Sequence, residues 1–246
     1  MANEVTQKFS ESLTDKLTSV SAALPRDFNR ERFVQNCLAV MNENPQLAKI
    51  NRAQVIQGLL KGAYLGLDFM SGEAYLIPYG SSVSFQTSYR GECKFVRKYA
   101  VRPVKDIYAK VVRVGDEFSE EIVDGHPTIN FKPIPFSNAE IAGSFAVVLY
   151  KDGGMSYEAM SVEDINSVRD SYSKASQSKA WKASFAEMAK KVVLRRLCKH
   201  IETDFESTEA LNAWQDGSGM EFTNTITARE QDDPVDVFAE EVVADE

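Results

Sequence analysis

The hydrophobic period of this chain changes twice, and that limits the folds open to it. From Asn29 to about residue 66, apolar residues recur at helical spacing. "NRERFVQNCLAVMNENP" puts Phe33, Cys37, Val40 and Met41 on one side, with Asn29 as N-cap and Pro45 as a stop. "NRAQVIQGLLKGAYLGL", from Asn51, predicts a second helix. Its glycines at 58, 62 and 66 share one side, a pattern that fits close packing against another backbone. The period then becomes two. "GEAYLIPYGSSVSFQTS" reads as a hairpin turning at Gly80–Ser82, with further strands in "KDIYAKVVRV", "HPTINFKPI", "EIAGSFAVVLYKDGG" and "MSYEAM". Helical spacing returns in "SVEDINSVRDSY", opened by a capping box of Ser161 and Asp164, and in one long helix, "KAWKASFAEMAKKVVLRRLCKHI". Helices, antiparallel strands with one inserted helix, then helices make an α+β protein.

Charge divides the chain further. The formal net charge is −8, but residues 202–246 hold fourteen Asp and Glu against the single base Arg229, a net of −13. Residues 1–201 are therefore +5. "QDDPVDVFAEEVVADE" has too little apolar surface to fold alone and reads as a flexible acidic tail, either solubilising or competing for a basic groove. The expected organisation is an N-terminal arm over 1–28, a core over 29–205 and an acidic region over 206–246.

The positive charge is concentrated in two elements. "YRGECKFVRKYAVR" (89–102) carries five basic residues and one acid, Glu92. On a helical wheel Arg90, Lys94, Arg97 and Lys98 share one face, beside an apolar stripe of Tyr89, Cys93, Val96 and Ala100, while Glu92 points elsewhere. Four like charges on one face repel, which points to an anionic partner. Residues 174–200 hold eight basic residues against Glu187. There Lys191 and Arg195 lie off the apolar arc of Trp181, Phe185, Met188 and their neighbours, free to meet phosphates. Arg196 falls within that arc, so it either pairs with a buried acid or reaches past the core to a ligand. Tyr75, Tyr79, Phe85 and Tyr89 interleave with the first basic element, as in grooves that track a nucleic-acid backbone and stack its bases.

Other chemistries find less support. Cys37, Cys93 and Cys198 are odd in number and widely spaced, which fits a reducing cytoplasm better than a disulfide framework or a metal site. His126 and His200 are too far apart for a zinc site. No run is long and apolar enough for a membrane span, the first residues are polar, and no G-x-x-x-x-G-K-[ST] phosphate loop occurs. The chain is expected in the cytoplasm, without cofactor. "GDEFSEE" (115–121) clusters carboxylates that could hold magnesium in a nuclease, but on a strand end and turn with no lysine nearby. A third reading is an assembly protein whose basic face binds an acidic partner.

Two blocks carry a resemblance. Pro78, Tyr79, Gly80, Gln86, Tyr89, Arg90 and Gly91 match a P-Y-G-x(n)-Q-x-x-Y-[RK]-G pattern. About ninety residues on, Trp181, Glu187, Met188, Ala189, Lys190, Lys191, Leu194 and Arg195 match W-x(n)-E-M-A-[KR]-K-x-x-[LI]-R. With "VVRVGDEF" and "KDGG" in order between them, residues 30–205 resemble the RecT family of phage and prophage single-strand annealing recombinases. The resemblance implies a twisted antiparallel sheet crossed by helices. It also implies a non-enzymatic, ATP-independent protein of a bacterial host's cytoplasm that coats single-stranded DNA, pairs it through an annealed duplex intermediate, and assembles as a ring or filament. A 5′→3′ exonuclease and the host single-strand-binding protein are the implied partners. The expected groove is Arg90, Lys94, Arg97, Lys98, Lys110 and Arg113 with Lys179, Lys182, Lys190, Lys191, Arg195 and Arg196. Gln86 stands beside them, and Phe85 and Tyr89 are the expected stacking platforms.

Overall fold

This computed structural model describes residues 2–173, 176, 177 and 179–217, the side chains of 2–5 and of Lys179 aside. Three helices open the chain: α1 (Ala2–Ser19), α2 (Arg30–Glu43) and α3 (Arg52–Leu65). Asn29 and Asn51 cap α2 and α3, each side chain accepting a first-turn backbone N–H, from Arg32 and Ala53. α3 stops at Gly66, whose φ of 66° is the left-handed conformation that costs glycine least. The other two α3 glycines meet side chains and not the backbone their spacing predicts. A Cβ at 58 would overlap Leu76, and one at 62 would lie 2.6 Å from the Phe69 ring.

All strand pairs are antiparallel, and the α+β class holds. Among the described residues the strands form three sheets: a β1 (Ala74–Tyr79)–β2 (Ser82–Thr87) hairpin, a sheet in the order β3 (Val104–Arg113)–β6 (Ile141–Tyr150)–β7 (Met155–Ser161), and a β4 (Glu117–Val123)–β5 (His126–Lys132) hairpin. β4 corrects the reading of "GDEFSEE" as a strand end and turn. It pairs with β5 in unbroken register from Glu117 opposite Lys132 to Val123 opposite His126. Phe118 and Phe131 close on Phe145 of β6, with ring centroids 5.3 and 5.0 Å away, and cover one face of the three-stranded sheet.

The other face carries helices. α7 (Phe185–His200) packs on β6, with α4 (Tyr89–Tyr99) toward β3 and α5 (Val162–Tyr172) toward β7. Ser161 and Asp164 form the capping box at the start of α5. The single helix expected over 179–201 is two, α6 (Lys179–Ala183) and α7, broken at Ser184 (φ −135°, ψ 42°). Trp181 anchors α6 back on α5, its indole N–H donating to Ser173 Oγ at 3.2 Å.

Both flanking segments enter one core. Phe9, Leu13 and Leu17 of α1, and Ala210 and Trp214 of α8 (Thr208–Asp216), are buried with Leu59, Phe95 and Leu194. Phe95 stacks on Trp214 at 4.8 Å and 11°. Each large side chain buried in this way contributes about 1.5–3 kcal/mol. Residues beyond 217, and with them most of the expected acidic tail, lie outside the described residues.

Candidate nucleic-acid interface

α4 is built to show cations on one side and bury the other. Ser88 caps it, its hydroxyl accepting the Gly91 N–H at 3.1 Å. The first turn lies against the loop before β1, where Ser88 N donates to the Glu73 carbonyl at 3.0 Å. A Cβ at Gly91 would overlap that same carbonyl oxygen, so only glycine fits there. Cys93, Phe95, Val96 and Tyr99 face inward, while Arg90, Arg97 and Lys98 are exposed and Lys94 is partly so.

The face lacks acids along the helix, but neighbouring elements supply two. Lys94 pairs with Glu73 at 2.6 Å and Arg97 with Asp106 at 3.1 Å. Arg90 and Lys98 have no carboxylate partner among the described residues, and the Lys98 ammonium lies 5.1 Å from the Tyr99 ring centre. Lys94 and Lys98 line a cleft of ≈ 240 Å³ together with Arg32 of α2, Asp27 and Asp68. Arg32 joins this cluster from some sixty residues upstream, a distance that no local pattern bridges.

Two expected contacts are overturned. Phe85 is 3% exposed, on the hairpin face that packs against α3, with its ring 6.2 Å from Phe69. The alternation that makes β1–β2 a hairpin sends Phe85 inward opposite Leu76 and leaves Tyr75 opposite Gln86 on the other face. Tyr75, 49% exposed, is therefore the aromatic available for stacking, and the same alternation is the signal that identifies it. Gln86 donates to the Tyr79 hydroxyl at 3.4 Å. Tyr89 is half-buried, and its hydroxyl accepts the Ala109 N–H at 2.8 Å. Burial is the main cause that pushes the Tyr89 phenol up to about 12.

Arg195 is the second correction. It is 2% exposed, and its guanidinium donates to Glu92 Oε1 at 2.7 Å and to the Trp214 carbonyl at 2.5 Å while lying 3.9 Å from the Trp214 ring centre. Glu92 is fully buried and also accepts from Thr87 Oγ1 and from the Trp214 indole. The wheel assumed one apolar arc, but α7 is covered by the sheet on one side and by α4 and Trp214 on another. Arg196 is the exposed one, paired with Glu158 of β7 at 2.7 Å. Of the two expectations for Arg196, the paired acid is the one the fold supplies, Glu158 being only 18% exposed.

The remaining cations are scattered. Lys191 is partly exposed, and burial lowers its ammonium from the ordinary lysine value, Glu92 opposing this and Arg195 adding to it. Lys190 pairs with Glu187 at 2.6 Å within its own helix. Lys110 and Lys182 are exposed, and Arg113 is tied to the Ala139 carbonyl at 2.5 Å. The Lys179 side chain and Lys174 lie outside the described residues. The structure thus gathers Arg32, Lys94 and Lys98 around one cleft, with Arg90 and Arg97 on the same helix. It turns Arg195 into the fold, and Arg196 toward β7.

The carboxylates weighed for a magnesium site are dispersed. Asp116 accepts the backbone N–H of Arg113 and of Ile134, Glu117 pairs with Lys132 at 3.0 Å, and Glu120 and Glu121 point to opposite faces of β4. Among the described residues no group of three or more His, Cys, Asp or Glu is placed to hold a metal ion. Cys37, Cys93 and Cys198 are free and buried, and burial is the main cause that raises each thiol above its ordinary value. No helix among the described residues is long and apolar enough to cross a membrane.

The sequence that builds this face is similar to known proteins over most of its length. Residues 31–241, which include α2 through α8, match the RecT family. Protein RecT of Escherichia coli (strain K12) is 32% identical over 203 residues, covering 78% of this chain and 74% of that protein. The matched segment thus contains α4 and runs past α8 to residue 241, and the chain belongs to the RecT family.

Proposed function

We propose that this chain binds single-stranded DNA through its phosphates and anneals it to a complementary strand, without ATP and as a homo-oligomer. Family membership supports annealing as the activity. The observation that carries the DNA contact is α4, whose Arg90, Arg97 and Lys98 are exposed beside a cleft that Arg32 and Lys94 also line, these two paired with Asp68 and Glu73. Annealing makes and breaks no covalent bond. It needs phosphates neutralised and base edges left free, which backbone contacts with Lys and Arg achieve. Tyr75 and Gln86, on the open face of the β1–β2 hairpin, are the proposed base contacts. The partners in this reading are a 5′→3′ exonuclease that makes single strands and the host single-strand-binding protein that first covers them, in the bacterial cytoplasm.

Salt tests the contact. Log affinity for a labelled oligonucleotide should fall linearly with log salt, by roughly 0.7 for each phosphate neutralised. Complementary strands should anneal with nucleotide omitted. A flat salt response would remove the α4 assignment, and shortened strands in magnesium would restore the nuclease.

The acidic tail belongs to the same reading. The Gly217 carbonyl accepts from Thr87 N at 2.8 Å and Thr87 Oγ1 at 3.0 Å, which holds Gly217 against a residue three positions before Arg90. Residues 218–246 hold nine acids against Arg229. Such a segment competes with DNA for the α4 face, because tethering holds it at high local concentration. Deleting 218–246 should tighten single-strand binding at low salt, and the gain should fade near 0.1 M, where the Debye length is about 10 Å. Unchanged low-salt affinity would leave solubility as the tail's role.

A further inference from the structure

Phe136 is 101% exposed, and its φ of 58° is left-handed, a conformation unfavourable for a bulky residue. The loop that holds it is well fixed. Asp116 accepts the N–H of Arg113 at 2.8 Å and of Ile134 at 2.9 Å, and Val114 N donates to the Glu140 carbonyl at 2.9 Å. The result is an exposed apolar knob of Phe136 with Ile134 (50%) and Val114 (59%) from the same pair of connections. Rigid presentation of an exposed aromatic marks a contact surface.

Nucleic acid fits the knob poorly. The adjoining cations are engaged, Arg113 on the Ala139 carbonyl and Lys132 on Glu117, while Glu140 is exposed without a partner among the described residues. A second copy of the chain fits better. A cavity of ≈ 310 Å³ opens between α1, α2 and α3, lined by Phe9, Leu38, Met41, Ala48 and Val55 with Arg52. A cavity of roughly 150 Å³ already holds a benzene ring. Arg52 and Lys49, adjoining it, are exposed and have no carboxylate partner among the described residues, so they complement Glu140.

We propose that Phe136 of one protomer seats in the α1–α2–α3 cavity of the next, with its Glu140 beside Lys49 and Arg52. The two halves differ, so the contact is heterologous and propagates head to tail into a ring or filament. This inference rests on the homo-oligomer reading above and names its junction.

Sedimentation of the full chain, with and without an oligonucleotide, tests it through Phe136→Asp and Ala48→Trp. Aspartate tolerates a left-handed backbone, and Ala48 is exposed, so both variants should keep the wild-type circular dichroism. Each variant alone should sediment as a monomer where wild type assembles. Mixed one to one, they retain one intact junction and should form a dimer and nothing larger. Wild-type assembly by both variants would overturn the junction and leave the oligomer reading standing. A Phe136→Asp protein that assembles normally but loses affinity for the oligonucleotide would overturn it in favour of base stacking. A monomeric wild type would remove the oligomer reading and the junction together.

Discussion

Replacing Arg195 by alanine is expected to destabilise the fold by about 3–5 kcal/mol, because it strands the Glu92 carboxylate in a dry interior. The same holds for Glu92→Ala, which strands Arg195. The pair does more than join α4 to α7. Arg195 also meets the Trp214 carbonyl and ring, and Glu92 also accepts from Thr87, so four elements converge on one buried charge pair. Removing both charges together, as Glu92→Leu with Arg195→Met, should recover most of the loss, since no lone charge remains buried. Urea unfolding at one fixed protein concentration measures all three, because assembly would otherwise shift apparent stability by mass action. Single variants within about 1 kcal/mol of wild type would show that the pair is solvated and not structural. If Arg195 contacted phosphate instead, its loss would weaken DNA binding and spare the fold.

Reversing charge at Arg90, Arg97 and Lys98 together should abolish annealing while the fold survives. A charge pair at 4 Å is worth about 1 kcal/mol in water, so losing three attractions and adding three repulsions costs roughly 3–6 kcal/mol of binding. Affinity for a single strand should fall by about a hundredfold or more. The salt dependence should flatten by roughly 2, at about 0.7 for each lost contact. Lys94 is left out because a glutamate there would oppose Glu73 across 2.6 Å. The Arg97–Asp106 pair is half-exposed at both ends, so breaking it costs little stability. Fluorescence anisotropy and a strand-annealing assay read the outcome. Normal annealing by the triple variant would mean that α4 does not carry the DNA.

Much of the local structure could be read from sequence, for a shared reason. The Asn29 and Asn51 caps, the Ser161–Asp164 box and the inserted basic helix all depend on residues within four positions of each other. β4 escaped because acids fall on both of its faces, Glu120 on the side of Phe118 and Glu121 on the other, and Phe118 finds its partners only when β5 and β6 arrive. The break at Ser184 escaped for a similar reason, since it depends on Trp181 reaching back to Ser173.

The binding face shows the same division. Sequence by itself determined that α4 presents Arg90, Lys94, Arg97 and Lys98 on one side, because helical geometry sets that from spacing alone. It also determined the inward turn of Phe85, because strand alternation places it on the same hairpin face as Leu76. Which cations stay free was decided by tertiary structure. Glu73 and Asp106 come from other elements to occupy Lys94 and Arg97, and Arg32 enters the cleft from α2. Arg195 is buried because Glu92, 103 residues away, and Trp214, 19 residues away, close over it. A helical wheel records the direction of a side chain and nothing about what packs there. The fate of a charge depends on what packs there, since an arginine is either a ligand for phosphate or half of a buried pair according to the dielectric around it.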